Sequence, residues 1–302
     1  MNIIHHPDEM RQWAFDRRAE GKTIGLVPTM GALHEGHLSL MQASVEENDL
    51  TVASIFVNPA QFAPHEDYDQ YPRTLKDDCA KSEAMGVDLI YAPNASAMYP
   101  RNYASYVEVE RLQDGLCGVT RPHFFRGVAT VVAKLFNTTV PHKAYFGLKD
   151  GQQVGIIKRM VRDLDFGIEI VALPTIRESD GLAMSSRNKY LSDSDRKRAL
   201  CISRSLNTAQ ELMAAGEVDA ARVIAKVREV MHSLEIDYIE LVDAEELTPV
   251  DSIKGPVMLA VAAKVGDTRL IDNMRFDPTD DFHAAPKQYD INTSIDSEAG
   301  GA

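Results

Sequence analysis

The chain has 302 residues, 44% hydrophobic and 25% charged, which is the make-up of a water-soluble globular protein with room for one large or two ordinary domains. No window approaches the roughly 18 apolar residues of a membrane span, and the start MNIIHHPDEMRQWAFDRRAEG has no apolar stretch of signal-peptide length, so the expectation is a cytoplasmic protein. A formal charge of −13 argues against broad nucleic-acid binding, so any anionic substrate must meet a local cluster of positive groups.

In chain order, the β-branched run TIGLV (23–27) ends at Pro28 and LTVASIFV (50–57) follows, with an amphipathic segment between them that starts near Gly36 or His37. That is a β-α-β unit. RTLKDDCAKSEAMG (73–86) predicts a helix closed by Gly86, and VDLIYA (87–92) a strand. GVATVVAKLFNTT (127–139) predicts a nearly apolar helix, KAYFG (143–147) a strand, DGQQVGIIKRMVRDL (150–164) a helix and IEIVALP (168–174) a strand. Such alternation implies a Rossmann-like α/β fold, a parallel sheet with helices on both faces. Ligands bind at the carboxyl ends of such strands, and the loops opened by Pro28, Asn58 and Gly147 then share one rim.

Beyond about residue 182 the pattern changes to two long amphipathic helices followed by the strands IDYIELVD, VMLAVAAKV and DTRLID. The expected division is a catalytic domain over 1–182 and a smaller α+β lid domain over 183–302. Its tail, from about 277, is poor in large apolar residues and is expected to fray. Cys79, Cys117 and Cys201 lie far apart without a C-x-x-C spacing and read as reduced packing residues.

The stretch PTMGALHEGHLSL (28–40) carries the first chemical signal. A strand, a glycine-containing loop and a helix start make an anion site, because the first helical amides are unpaired donors and Gly31 and Gly36 permit close backbone approach. His34 and His37 add imidazole donors that acquire charge when a phosphate brings its own. A metal site is the competing reading; it needs a third ligand such as His65 or Glu35, and no H-E-x-x-H or cysteine set is present.

PTMGALHEGH resembles the signature of the pantoate-beta-alanine ligase family, within the HIGH-type nucleotidyl-transferring superfamily. FVNPAQF (56–62), FRGVATVVAKLFN (125–137), YFGLKDGQQ (145–153) and DGLAMSSRNKYL (180–191) agree with that family in order and spacing. The resemblance implies condensation of pantoate with beta-alanine. The pantoate carboxylate attacks the α-phosphorus of ATP and releases pyrophosphate; the amine then attacks the acyl adenylate and releases AMP. Neither step needs a protein nucleophile, so catalysis should come from alignment and charge stabilisation.

Residue by residue, the resemblance puts Met30, Gly31, Ala32, Leu33, His34, Glu35, Gly36 and His37 in the nucleotide loop, with His37 as proton donor. Gly147, Leu148, Lys149 and Asp150 would contact ATP, with Asp150 on the ribose. Ile176 would reach the adenine, and Met184, Ser185, Ser186 and Arg187 would wrap the pyrophosphate. Gln61 and Gln153 match the pantoate-binding pair, neutral amides that orient a carboxylate without quenching it. Mg²⁺ is expected with ATP, its protein ligands unknown; Asp77 and Asp78 are weighed as neighbours of the ion against a solvated helix face. Homodimers are usual in the family.

The chain departs from the family pattern in three places. RPHFFRGV has His123 one position early and Phe124 where histidine is expected; GLKD has Leu148 in place of a glutamate; and Gly151 replaces a bulkier residue. Two other functions compete: a nucleotidyltransferase that leaves AMP on its product, and a non-catalytic nucleotide sensor, which would have no need of His37, Lys149 and MSSR together.

Overall fold

The computed structural model describes residues 1–64 and 66–279. His65 and the tail beyond 279 therefore lie outside the described residues. Within them, six parallel strands form a sheet, standing in the order first, fourth, third, second, fifth, sixth, and three antiparallel strands form a second sheet in chain order. The first six are β1 (Asn2–Ile4), β2 (Ile24–Thr29), β3 (Leu50–Ile55), β4 (Leu89–Tyr91), β5 (Lys143–Gly147) and β6 (Glu169–Leu173).

Their helices are α1 (Pro7–Ala19), α2 (Glu35–Glu47), α3 (Leu75–Ala84), the short α4 (Ala95–Met98) and α5 (Cys117–Thr120), α6 (Phe124–Thr139) and α7 (Gly151–Asp163). They cover both faces of the sheet, one core gathering around α6 and α7 and another between α2, Val27, Ala53 and Ile90. This is the Rossmann-like arrangement expected from the alternation.

The chain order reverses between β2 and β5, which is where parallel sheets open a binding crevice. β2 pairs with β3 along its whole length but with β5 only at Gly25 and Leu26. Beyond Leu26 the two strands part. The expected run 23–27 thus stops two residues short of Thr29, because a proline without an N–H is tolerated where no ladder to β5 remains to be fed. Helix α6 likewise begins at Phe124, three residues before the expected start at Gly127. That glycine serves close packing, since a Cβ there would lie 2.2 Å from the Ala60 carbonyl oxygen.

The C-terminal part has α8 (Asp193–Ala214), α9 (Ala220–Val230), β7 (Glu235–Asp243), β8 (Val257–Val265) and β9 (Thr268–Phe276). Ser192 and Asp219 cap the two helices through their side-chain oxygens. Strand β8 is apolar at nearly every position because both of its faces are covered. Val257, Leu259, Val261, Ala263 and Val265 join the α8–α9 core, while Met258 and Ala260 join the core of the large sheet. The small sheet is thus welded to the catalytic framework along one face.

Candidate active site

The loop after β2 turns through two left-handed residues, Gly31 (φ 82°) and Ala32 (φ 52°), before His34 starts α2. What holds that turn is Asp78 of α3. Its carboxylate accepts the backbone N–H groups of Ala32 (3.0 Å) and Leu33 (2.8 Å) and the Thr74 hydroxyl (3.0 Å), at 1% exposure. A Cβ on Gly31 would come within 2.9 Å of the same carboxylate. Lys81 adds a bond to the Leu33 carbonyl at 2.7 Å.

Neither metal-neighbour nor solvated-face reading therefore suits Asp78, which is a buried brace; Asp77 next to it is exposed. The two carboxylates do not fit a Mg²⁺ ligand set. Among the described residues no cluster of three or more His, Cys, Asp or Glu side chains is arranged to hold a metal.

The two imidazoles cap the helix reciprocally. His34 Nδ1 accepts the Gly36 N–H at 3.2 Å, and His37 Nδ1 accepts the His34 N–H at 3.3 Å, with ring centroids 4.1 Å apart. A ring nitrogen that accepts keeps its lone pair, so each ring carries its proton on Nε2. Burial, reinforced by Lys149, lowers His34 from 6.5 to about 4. Burial, then His34 and Lys149, lowers His37 to about 3. At neutral pH the protein alone thus presents two uncharged N–H donors, and the charged acid expected of His37 has to be made by the ligand.

After β3, Asn58 is fully buried and ties three elements together. Its Nδ2 donates to Gln61 Oε1 (3.0 Å) and to the Gly127 carbonyl (3.1 Å), while its Oδ1 accepts the Tyr99 hydroxyl (2.8 Å) and the Ala60 N–H (3.2 Å). With Oε1 occupied, Gln61 is left as a donor through Nε2, which lies 3.0 Å from Met30 Sδ. Arg121 secures the same turn: it donates to the Gln61 carbonyl (3.2 Å) and grips Glu66 with two bonds of 2.5 and 2.7 Å. The guanidinium lies 3.8 Å from the Phe124 ring centroid. Phe124 faces the cavity and His123 is exposed, so no imidazole occupies the position where the family pattern has one.

The third rim loop follows β5. Residues Leu148–Asp150 form a single 3-10 turn into α7, and Lys149 stands with Nζ 4.0 Å from Asp150 Oδ1. Leu148 turns away and packs against the large core. Gly151 leaves room for the small sheet: a Cβ there would meet Met258 Sδ at 2.7 Å and Asn273 Oδ1 at 2.9 Å. Gln152 is buried and fastens the 112–117 segment, leaving Gln153 to face the cavity.

The fourth piece runs from Ile176 to Arg187 as a tight hairpin, closed by Met184 N–H to the Ile176 carbonyl (2.9 Å) and Glu178 N–H to the Leu182 carbonyl (2.8 Å). Ser185 caps the following turn by accepting the Arg187 N–H, Ser186 shares a hydrogen bond with buried Tyr71, and Arg187 pairs with Asp67 at 3.1 Å. Asn188 bonds the Ala183 carbonyl at 3.0 Å.

All four pieces border one cavity of about 1320 Å³, above the roughly 300–1,000 Å³ of common small-molecule pockets. It is lined by Met30, His34, Gly36, His37, Gln61, Gly147, Lys149, Asp150, Gln153, Ile176, Met184, Ser185, Ser186 and Arg187. Gly31, Ala32, Leu33, Glu35 and Leu148 are not on its wall; the amides of Ala32 and Leu33 are already taken by Asp78. Lys149, Arg121, Arg187 and Arg269 also border it, the three arginines paired with Glu66, Asp67 and Asp237, so an anionic substrate meets cations that are already partnered rather than a free positive cluster. The sequence reading singled out Asp78 for another role and missed Tyr71, Arg121 and Arg269. Only Asp78 gave a signal, as a carboxylate in the first turn of a helix, and the amides it holds are 45 and 46 residues away.

The profile of the Pantoate-beta-alanine ligase family matches residues 2–275. The chain belongs to that family. A pantothenate synthetase of Acetivibrio thermocellus is 51% identical over 278 residues, 91% of this chain and 99% of that protein. One of Pelotomaculum thermopropionicum is 52% identical over 276 residues, 90% of this chain and 98% of that one. Among solved structures, the pantothenate synthetase of Thermus thermophilus aligns with a TM-score of 0.85 at 42% identity, covering 91% of this chain and 99% of that one. The Francisella tularensis pantoate-beta-alanine ligase, complexed with beta-gamma ATP and beta-alanine, aligns with a TM-score of 0.74 at 33% identity, covering 92% and 100%. The pantoate-beta-alanine ligase fold thus spans both sheets of this chain.

Proposed function

We infer that the cavity performs the family's ligase reaction, ATP-dependent joining of pantoate to beta-alanine through a pantoyl adenylate. The observation that carries this reading is the convergence, at the crevice between β2 and β5, of two neutral imidazole donors, a lysine, a Ser-Ser-Arg turn and two amides.

In this reading His34 and His37 donate Nε2–H to phosphate oxygens, and Lys149 offsets charge that builds at the α-phosphorus during attack. Arrival of the triphosphate raises imidazole basicity, so proton donation by His37 is coupled to ATP binding. Ser185, Ser186 and Arg187 take the leaving pyrophosphate, Arg187 exchanging Asp67 for it. Gln61 Nε2 and Gln153 hold pantoate so that its carboxylate points at phosphorus without being neutralised by a cation. Ile176 contacts the adenine and Asp150 the ribose hydroxyls in the same reading, both residues being on the cavity wall.

Mg²⁺ accompanies ATP on the phosphates rather than on Asp77 or Asp78. The part from 183 onward serves as the lid that keeps water from the adenylate. A homodimer and a cytoplasmic location complete the proposal; among the described residues no helix is long and apolar enough to cross a membrane.

A two-stage product assay tests the reading. ATP, Mg²⁺ and pantoate should release pyrophosphate without AMP, and beta-alanine added afterwards should release AMP with pantothenate. Adenylate chemistry that ignores pantoate but answers another carboxylic acid would refute the substrate assignment. An adenylylated end product would favour the nucleotidyltransferase.

A further inference from the structure

We propose that Asp272 and Asn273, adjacent residues of β9, are positioning residues that fix the 148–150 turn and the 176–187 hairpin relative to one another, Asn273 setting the place of Lys149. This rests on the role given above to Lys149 and to Ser185–Arg187.

Successive residues of a strand point to opposite faces. On one face, Asn273 Nδ2 donates to the carbonyls of both Leu148 (2.9 Å) and Lys149 (2.7 Å) while itself only 9% exposed. The 148–150 turn has no side-chain cap of its own, so this amide is what ties its backbone down. Gly151 brings the turn and the strand into direct contact, because any Cβ there would meet Asn273 and Met258.

On the other face, Asp272, 3% exposed, takes two bonds from Arg177 (2.7 and 3.1 Å). Arg177 also donates to the Gly181 carbonyl at 3.2 Å and bridges to Ala183, inside the hairpin that delivers Ser185, Ser186 and Arg187. The two anchors are themselves linked, since Asp272 Oδ1 accepts the Asn273 N–H at 2.9 Å. One dipeptide of the small sheet therefore sets the separation of the lysine from the pyrophosphate turn. A misplacement of about 1 Å between such groups costs up to about 10²-fold in rate.

The test is pantoate-dependent pyrophosphate release by the full chain, measured for wild type, K149A, N273A, N273D and K149A/N273A. K149A should lose about 10²–10³-fold, the size of one lost charge-stabilising donor. N273A and N273D should each lose about 10-fold or more, and the double variant should be within about twofold of K149A, because no lysine remains to be positioned. N273D keeps the side-chain shape and replaces the donor with an acceptor, so it supplies the comparison if N273A does not fold. Losses that multiply in the double variant would overturn the proposal, since general destabilisation or an independent contact behaves that way. So would an N273D enzyme at the wild-type rate beside a crippled K149A. A K149A enzyme at the wild-type rate would instead remove the premise about the lysine.

Discussion

The loop after β2 and the loop after β5 face each other across one crevice, yet they are held in opposite ways. The first is fastened within the large sheet's own framework: Asp78 takes its amides, Lys81 takes a carbonyl, and the two histidines cap the helix that follows. The second, like the hairpin ending in Arg187, is fastened from outside by β9. A preorganised, uncharged cradle thus stands opposite cationic groups whose placement depends on the C-terminal part. The lesson is that the loop carrying the two imidazoles is held by residues of the large sheet's own framework, whereas the turn carrying Lys149 and the hairpin ending in Arg187 are held by a strand more than 80 residues further along the chain.

Breaking the fixed side at its chemistry should give the largest effect. H37A removes a donor and leaves the amide of His34 unpaired, and adenylate formation should fall by about 10²–10³-fold in a quenched-flow assay. D78A strikes the same side through its brace. It leaves the buried amide of Leu33 and the part-buried amide of Ala32 without an acceptor, so denaturant unfolding should show a loss of about 3 kcal/mol, with weaker ATP binding. Wild-type stability in urea together with unchanged ATP affinity would show that the loop stands without Asp78.

The pH dependence sharpens the comparison. His34 and His37 have folded values of about 4 and about 3, below the 6.5 of the ordinary group, so the unfolded chain takes up protons first. Their contribution to stability is complete above pH 6.5 and is lost as pH falls from 6.5 towards about 4 for His34 and about 3 for His37, with a slope of up to about 1.4 kcal/mol per pH unit for each ring. An H34N/H37N variant should have a flatter stability profile in that window. Identical profiles would contradict the burial argument. On the side held by β9 the smallest effect is expected from D67N. Its pair with Arg187 is about one-third exposed, worth under about 1 kcal/mol, so the KM for ATP should fall by less than about fivefold.

Much of this was legible in the sequence where a signal is local. The alternation of β-branched runs with amphipathic segments placed five strands of the large sheet, and PTMGALHEGH, GLKDGQQ and MSSR placed the loops on one rim. The first strand and α1 went unread. Asn2–Ile4 is too short for a periodic pattern, although His6-Pro7 before Asp8 and Glu9, with Arg17 and Arg18 at the far end, is a readable helix start and stop.

The cross-chain fastenings had no local signal. Asp78 with Leu33, Arg121 with Glu66 and Asn273 with Lys149 are separated by 45, 55 and 124 residues. Gly151, read only as a departure from a bulkier residue, is the clearance for β8 and β9; its reason lies in Met258 and Asn273, not in its neighbours.

The central claim is that the cradle consists of two neutral imidazoles carrying their protons on Nε2. Histidine-resolved ¹⁵N NMR titration of the protein alone tests it most directly. The account predicts Nε2–H tautomers for His34 and His37 at pH 7, with protonation only near pH 4 and below. Either ring charged at pH 7, or a proton on Nδ1, would contradict it.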